Sequence, residues 1–284
     1  MIRIGNINRV KINRKTDISY IAFTDENEEI FIHFREANQE LEPNQEVDIF
    51  VYYDKQRRLC GTTNIPTITT TDIDFAEVVQ ISDFGVFVNI GIVKDFLVSK
   101  DSLPRERELW PEIGDKLCVN LAVKGNKLIA KPISYEEIKE IDNPEVMYNE
   151  NEIVKAYVHR IGTQGTTLLT ESKKDIFVYY KNQRKKERVG KLVEVEIISK
   201  TTKGNYNATM VKRKELMIDE DREVILDILT NKYKGKMPYT ANSNSDEIFN
   251  EFSMSRKAFK RALGNLYKEE VVYFSEDKKY TIKK

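Results

Sequence analysis

Short runs of alternating apolar and polar residues fill most of the chain, and they recur in the same order three times. Each copy has two long runs, a short apolar run, a connector, a turn with Gly or Pro, and two further runs. The short apolar run is Glu29–Phe34 in the first copy, Asp95–Ser99 in the second and Asp175–Tyr180 in the third. A period of two predicts strands, and five short strands in about 65 residues are typical of a small Greek-key barrel of the OB type. We therefore expect three OB barrels in tandem.

The joints between the copies set the expected domain boundaries. Thr67–Thr71 is a threonine-rich joint, and Asn143-Pro144 ends an acidic helix predicted over Ser134–Ile141, because the residue before a proline is disfavoured in a helix. The predicted domains are residues 1–66, 67–143, 144–214 and 215–284.

The last of these segments changes to a helical period. A first helix is predicted to open at Asp219, a second to run over Asp246–Phe252 behind Ser245, and a third to end at Glu270. A short strand is predicted at 237–239, and two apolar runs flank residues 275–278 as a hairpin. Three helices and a hairpin are the pattern of a winged helix, which makes the chain mainly β with a C-terminal α+β winged-helix domain.

Composition narrows the class of protein. The 284 residues are 40% hydrophobic and 32% charged, which is typical of an ordered globular protein. No apolar run reaches the ~20 residues that a membrane-spanning helix needs, and the N-terminus does not resemble a signal peptide. Cys60 and Cys118 lie far apart and fit neither a disulfide framework nor a metal spacing. We therefore expect a cytoplasmic protein that makes no contact with membranes.

Groups that could carry catalysis are scarce. His33 and His159 are the only histidines, and they fall in different copies of the repeat, so no histidine dyad or metal cluster is indicated. The sequence has no phosphate-binding glycine-rich loop of the GxxxxGK[ST] kind. The prediction is a protein that is not an enzyme and has no catalytic residues, metal or other cofactor.

Charge is distributed unevenly along the chain. The 46 basic and 46 acidic residues cancel, so net charge alone gives no argument for nucleic acid. The net charge is −2 over residues 1–65, −7 over 66–150, +8 over 151–215 and +1 over 216–284. The third repeat is therefore the basic one.

Two aromatic residues in the second repeat indicate a stacking surface. Phe84 and Phe87 flank Gly85 in a β-prone run, where the glycine predicts a bend or a close backbone approach. Such a run can put both rings on one sheet surface, and aromatic surfaces on small barrels stack unpaired bases. Filling of the core by both rings is the alternative.

The same run resembles the S1 RNA-binding motif, together with Asp95–Ser99 and Ile113–Leu117. Over its full length the chain resembles the conserved virulence factor B family, through Ser102–Pro104, Leu109–Asp115 and the C-terminal Phe252–Gly264. The resemblance implies three S1 domains followed by a winged helix, RNA binding, and a regulatory role in producing virulence factors.

In S1 domains the two motif aromatics and a histidine on the following strand line the RNA face. By the resemblance, no single repeat of this chain has a suitable residue at all of these positions. Phe84 and Phe87 match the aromatics. The histidine position falls on His33, Ser99 and Tyr179 in the three repeats. In the first repeat Tyr20 or Phe23 is the candidate for the missing aromatic, and in the third Thr167 stands at an aromatic position and cannot stack.

Basic side chains supply the candidate phosphate contacts. The run 181–188 follows Tyr179 and Tyr180, and a basic groove beside aromatics is typical of single-strand binding, although charge runs are usually only solvated. The basic residues of the predicted third helix are further candidates. The complete set of candidate phosphate contacts is Arg184, Lys185, Lys186, Arg188, Arg256, Lys257 and Lys260.

The sequence therefore predicts a binder of single-stranded RNA with limited sequence specificity that acts after transcription, with other proteins as a further class of partner. Two alternatives remain open at this stage. One is a DNA-binding regulator that acts through the winged helix. The other is a protein-interaction adaptor whose S1 domains have lost RNA binding, which the missing aromatics of repeats one and three favour.

Overall fold

The computed structural model describes residues 2–24, 28–125, 127–202, 204–211, 214–277 and 279–284, without the side chains of 214–219. The chain forms two compact units, residues 1–210 and residues 211–284. The first unit holds the three repeats and the second holds the C-terminal helices and hairpin.

The first repeat is a closed five-stranded barrel with strand order β1-β2-β3-β5-β4. Its alternation places Val10 and Ile12 of the first strand in the core while Lys11 between them faces solvent. The strands are β1 (Ile7–Lys15), β2 (Ser19–Phe23), β3 (Glu29–His33), β4 (Glu46–Tyr53) and β5 (Leu59–Thr62).

The second repeat is a five-stranded sheet of order β10-β9-β6-β7-β8, with its two edge strands lying side by side. The predicted acidic helix follows it as α1 (Tyr135–Ile141), which begins with a capping box formed by Ser134 and Glu137. The strands are β6 (Asp74–Ser82), β7 (Gly85–Asn89), β8 (Asp95–Ser99), β9 (Lys116–Lys124) and β10 (Lys127–Pro132).

The third repeat is again a closed barrel, in the order β11-β12-β13-β15-β14, so the predicted tandem of OB-type barrels is confirmed. We call the three repeats barrels 1, 2 and 3. The strands of barrel 3 are β11 (Ile153–Ile161), β12 (Gly165–Leu169), β13 (Asp175–Tyr179), β14 (Leu192–Lys200) and β15 (Tyr206–Thr209).

Glycines allow a close approach of neighbouring backbones at one point in barrels 2 and 3. A Cβ atom on Gly85 would lie 2.0 Å from the carbonyl oxygen of Val98, and one on Gly165 would lie 2.2 Å from that of Val178. Real side chains do not tolerate such distances, so only glycine fits there. The close approach expected at Gly85 is confirmed.

The outer face of barrel 1 packs against the hydrophobic core of barrel 2. Phe50 and Tyr52, on the outer side of β4, pack into the hydrophobic cluster of barrel 2. The threonine-rich joint is fixed by backbone hydrogen bonds, because Thr70 donates its N–H to the Gly5 carbonyl at 2.9 Å. The joint is therefore an ordered part of the interface.

Barrels 2 and 3 are joined by buried charges. Arg188 donates to both carboxylate oxygens of the buried Asp115, at 2.7 and 3.1 Å, and lies 3.1 Å from Glu112. Lys174, buried in barrel 3, donates to Asp142 at 2.8 Å. Arg188 therefore joins two barrels, a structural role that its assignment from the sequence as a phosphate contact did not include.

His159 also lies at this junction, in β11. Its Nε2 atom is 2.9 Å from the Ile133 carbonyl, and burial lowers the pKa of the imidazole below its ordinary value. The connector of barrel 2 packs in the same region, where Trp110 is buried and donates its Nε1–H to the Pro104 carbonyl at 2.7 Å. Both side chains hold the barrels and their connectors in place.

The second unit has the predicted winged-helix pattern, with a three-stranded sheet of order β16-β18-β17. Its first helix begins at Lys214, earlier than the predicted Asp219, and continues into a π-helical turn over Ile228–Lys232. Asn244 caps the second helix in place of Ser245, and Ser255 caps the third. The elements are α2 (Lys214–Asp227), β16 (Lys236–Met237), α3 (Ser245–Phe252), α4 (Arg256–Lys268), β17 (Val272–Phe274) and β18 (Thr281–Lys283).

We predict that Arg188→Ala lowers the free energy of unfolding by ~2–3 kcal/mol, because it leaves the Asp115 carboxylate buried without its partner. Urea unfolding of the full chain measures the change. Lys186→Ala is the matched control, since Lys186 is an exposed cation two residues away and should change stability by less than ~0.5 kcal/mol. Equal effects of the two substitutions would contradict the assignment.

We predict that Asp175→Asn stabilises the protein at neutral pH. Asp175 is 4% exposed, and burial, with the nearby charge of Asp142, raises its pKa from 3.8 to about 6. The unfolded chain therefore releases this proton first, and the contribution of Asp175 to the free energy of unfolding falls as pH rises from 3.8 to about 6. The amide removes that cost, so the gain should be ~1–3 kcal/mol near pH 7 and close to zero near pH 4.

Thermal or urea unfolding at the two pH values measures this difference between variant and parent. Asp95→Asn is the control, because Asp95 begins β8 as Asp175 begins β13 but is exposed. A gain for Asp175→Asn that is as large at the acidic pH as at the neutral one would contradict the prediction.

Candidate nucleic-acid interface

One backbone hydrogen bond recurs at the rim of every barrel. The third strand of each barrel runs into a short 3₁₀ turn, and the first residue of that turn donates its N–H to the carbonyl of the residue that precedes the second strand. The pairs are Phe34 to Ile18 at 3.1 Å, Lys100 to Phe84 at 2.9 Å and Tyr180 to Gln164 at 3.0 Å. Positions in the three barrels can therefore be equated residue by residue.

The position equated with the S1 histidine is the last residue of each third strand. His33, Ser99 and Tyr179 occupy it, and each is the N-cap of its 3₁₀ turn with the same extended backbone. They pair with Ser19, Gly85 and Gly165 across the sheet. The register inferred from the sequence for these three residues therefore agrees with the strand pairing.

The two aromatics of barrel 2 lie on different elements. Phe84 is in the turn before β7 and is 71% exposed. Phe87 lies within β7, half-buried, opposite Leu97 of β8. Neither ring belongs to the barrel core, but only Phe87 is on a strand, which corrects the expectation that the sheet itself carries both.

In barrel 3 the neighbouring strand supplies the aromatic that β12 lacks. Thr167 occupies the position of Phe87, as inferred, and it pairs with Phe177 of β13. The rings of Phe177 and Tyr179 are perpendicular with centroids 4.8 Å apart, and Tyr179 and Tyr180 are 47% and 57% exposed. Phe177 was not among the residues predicted from the sequence, although it lies two residues before Tyr179 and therefore on the same face of the strand.

In barrel 1, too, the aromatic residue at the equivalent pair of positions lies on the third strand and not on the second. Ile18 and Ile21 occupy the positions of Phe84 and Phe87, and Phe31 of β3 pairs with Ile21. The Tyr20 ring belongs to the barrel core, so the suggestion that it replaces a binding-face aromatic is wrong.

Phe31 and His33 form the accessible face of barrel 1. The Arg58 guanidinium lies 5.6 Å from the centre of the Phe31 ring. His33 is exposed, and its Nδ1 accepts a hydrogen bond from the N–H of Arg35 at 3.1 Å, which fixes the imidazole at the start of the turn. An aromatic ring, an imidazole and a cation thus lie around one depression.

Exposed cations follow the aromatic face of barrel 3. Lys181 has its ammonium 5.6 Å from the centre of the Tyr180 ring. Arg184, Lys185 and Lys186 are exposed, and Lys185 also lies 3.6 Å from Glu187. The basic run is thus divided between an exposed part, 184–186, and Arg188, which holds barrel 2.

In the winged helix, α4 has one buried and one basic side. Phe259 and Leu263 are fully buried, while Arg256, Lys257 and Lys260 are exposed. The structure thus places these three candidates on the accessible surface of the helix.

Two further findings concern the described part of the chain. No group of three or more histidine, cysteine, aspartate or glutamate side chains there is arranged to hold a metal ion. None of its helices is both long and apolar enough to cross a membrane.

Comparison with known proteins agrees with this architecture. Residues 4–64 match the family model of the S1 domain, residues 73–130 that of the CvfB first S1-like domain, and residues 223–280 that of the CvfB-like winged helix domain. A crystal structure of a multidomain protein with nucleic acid binding domains from Streptococcus pneumoniae superposes with a TM-score of 0.66 at 25% identity, covering 99% of this chain and 98% of that one.

Two curated relatives extend over nearly the whole chain. The uncharacterized protein YitL of Bacillus subtilis is 33% identical, over 96% of this chain and 91% of its own length. Conserved virulence factor B of Staphylococcus haemolyticus is 30% identical, over 95% of this chain and 91% of its own length. With its S1-type barrels and winged helix, the chain belongs to the conserved virulence factor B family.

Proposed function

We propose that this protein binds single-stranded RNA with little sequence preference and acts in the cytoplasm as a post-transcriptional regulator. The observation that carries the proposal is the face of barrel 3, where exposed Tyr179 and Tyr180 are followed by the exposed cations of 184–186. Rings that stack on bases, beside cations that contact phosphates, bind single strands irrespective of sequence.

Tandem barrels strengthen such a site. The aromatic face of barrel 1, around Phe31, and that of barrel 2, around Phe84 and Phe87, belong to the same compact unit as barrel 3. A strand held by one barrel is presented to the next at a high effective concentration, so weak sites combine into useful affinity.

The proposed biological role rests on the family. Relatives at 30% identity are named conserved virulence factor B. By that relationship we propose that the RNA bound by this chain includes messages for virulence factors, whose expression it adjusts.

A second candidate function is DNA binding through α4. The exposed Arg256, Lys257 and Lys260 support it, because the corresponding helix of many winged-helix proteins enters the DNA major groove. Titration of the full chain with labelled single-stranded RNA, single-stranded DNA and duplex DNA at two salt concentrations separates the candidates. Duplex DNA that binds as tightly as single-stranded RNA would favour α4, and no binding of any of them at low salt would favour a protein adaptor.

We predict that the double substitution Lys185→Ala, Lys186→Ala weakens RNA binding and flattens its salt dependence. Each phosphate contact on a single strand contributes a slope of about −0.7 to log K against log salt, so the slope should become less negative by up to ~1.4. Fluorescence anisotropy with a labelled RNA over a series of salt concentrations measures it. Lys124→Ala with Lys127→Ala removes two exposed cations from barrel 2 and is the control; a matching change there would contradict the proposed site.

We predict that Tyr179→Ala costs ~1–3 kcal/mol of RNA-binding free energy, the range for loss of one base stack, and that Phe87→Ala costs less. The loss should be similar at low and high salt, because stacking is not a contact between charges. Tyr135→Ala, which removes a partly exposed ring from α1, should leave affinity unchanged. A larger loss for Phe87→Ala than for the lysine pair would place the main contact in barrel 2.

A further inference from the structure

Two depressions in the first unit share a wall. One lies on the outer face of barrel 1 and is lined by Phe31, His33 and Arg58 among others. The other is a groove of about 520 Å³ between barrels 1 and 2, which Phe87 and Lys94 help to line. Glu36 and Tyr52 line both. Glu36 and Tyr52 thus stand between the aromatic face of barrel 1 and the half-buried Phe87 of barrel 2.

The shared wall contains an unusual carboxylate. Glu36 is 6% exposed, and its backbone carbonyl is fixed by hydrogen bonds from the N–H of Thr63 and the hydroxyl of Thr62, both at 2.9 Å. Its Oε1 accepts from the Tyr52 hydroxyl at 3.2 Å. Its Oε2 is buried and has no hydrogen-bond partner in the described part of the chain. A buried acceptor without a donor is costly, so a ligand that brings donors would be bound in preference to one that does not.

Tyr52 keeps its hydroxyl available as a donor to Glu36. Burial, and then the negative charge of Glu36, raise the pKa of the phenol well above its ordinary value. The hydroxyl therefore stays protonated, and Oε1 remains occupied. The unused acceptor capacity of this carboxylate is on Oε2 and on the second lone pair of Oε1.

The surroundings suit a nucleobase in a single strand. Rings of Phe31, Tyr52 and Phe87 line the two depressions, and cations lie over two of them: Arg58 at 5.6 Å from the Phe31 centroid and Lys94 at 5.3 Å from that of Tyr52. Lys94 also donates to the Tyr53 carbonyl, and Arg58 is paired with Asp54 at 2.8 Å. Both cations are thus held in place beside these rings. Tyr52 is buried, whereas Phe31 and Phe87 are half-buried and keep part of their surface accessible to a base.

Among the four bases, guanine has the edge that complements a carboxylate. It presents two adjacent donors, N1–H and the N2 amine, whereas adenine and cytosine present an amine beside a ring acceptor and uracil places its one N–H between two carbonyls. We propose that the adjacent depressions of barrels 1 and 2 select guanine within single-stranded RNA, with the Glu36 carboxylate on their shared wall accepting from N1–H and the N2 amine. This inference rests on the proposed RNA binding and assigns a base preference to one part of the surface.

The test uses the full chain and labelled uridine dodecamers that carry one guanine, inosine, adenine or 7-deazaguanine at the centre. Guanine and 7-deazaguanine should bind alike, because they share the Watson–Crick edge, and about tenfold more tightly than adenine, the discrimination of one good bidentate contact. Inosine, which lacks the N2 amine, should fall between them. Equal affinity for guanine and adenine would overturn the inference.

Two variants locate the preference. Glu36→Gln keeps an oxygen for the Tyr52 hydroxyl but replaces the second oxygen by an amine, so the preference for guanine over adenine should fall to less than about twofold. Glu42→Gln, the same charge change at an exposed residue of barrel 1, should retain it. A tenfold preference that survives Glu36→Gln would overturn the assignment.

The comparison of four oligonucleotides on the parent chain stands independently of how the Glu36 variant folds. If all four oligonucleotides bind with the same affinity, only the inference about guanine is removed. Failure of every oligonucleotide to bind removes the proposed RNA binding, and this inference falls with it.

Discussion

A single backbone hydrogen bond at the barrel rim fixes what each barrel presents to its surroundings. It closes the 3₁₀ turn after the third strand onto the residue before the second strand, in all three barrels. The bond uses only main-chain atoms, so it forms whether the first residue of the turn is Phe34, Lys100 or Tyr180. The side chains around it can therefore vary while the geometry of the rim is kept, and the three barrels differ in chemistry on one scaffold.

This separation of scaffold from surface explains what could be predicted from the sequence. The period of the strands is a local signal, and together with the resemblance to S1 domains it predicts that His33, Ser99 and Tyr179 occupy equivalent positions. The identity of a cross-strand neighbour is not local. Phe177 and Phe31 replace aromatics that are missing from the adjacent strand, and only pairing reveals that exchange.

The same limit applies to charge. Residues 66–150 carry a net charge of −7 and residues 151–215 a net charge of +8. From the sequence alone, these charges would all be expected to face solvent or a ligand. Some of the acidic and basic side chains of these two segments pair with each other at the junction of barrels 2 and 3. The pairs are Arg188 with Asp115, Lys174 with Asp142, and Lys173 with Asp74 at 3.5 Å. The net charges of these segments therefore include side chains that are paired at an interface between barrels. Arg188 could not be recognised as structural from the sequence, because its partner is 73 residues away.

Buried charges and exposed charges then have different consequences for RNA. The cations of 184–186 face solvent, where attraction to phosphate is independent of base identity and is screened by salt. Glu36 is buried, and among the described residues no donor reaches its Oε2; we propose that it distinguishes one base edge from another. On our proposals, barrel 3 supplies affinity while barrels 1 and 2 supply preference. Because the barrels form one compact unit, an RNA strand that is bound by the basic face of barrel 3 presents its other bases to Glu36 at a high effective concentration.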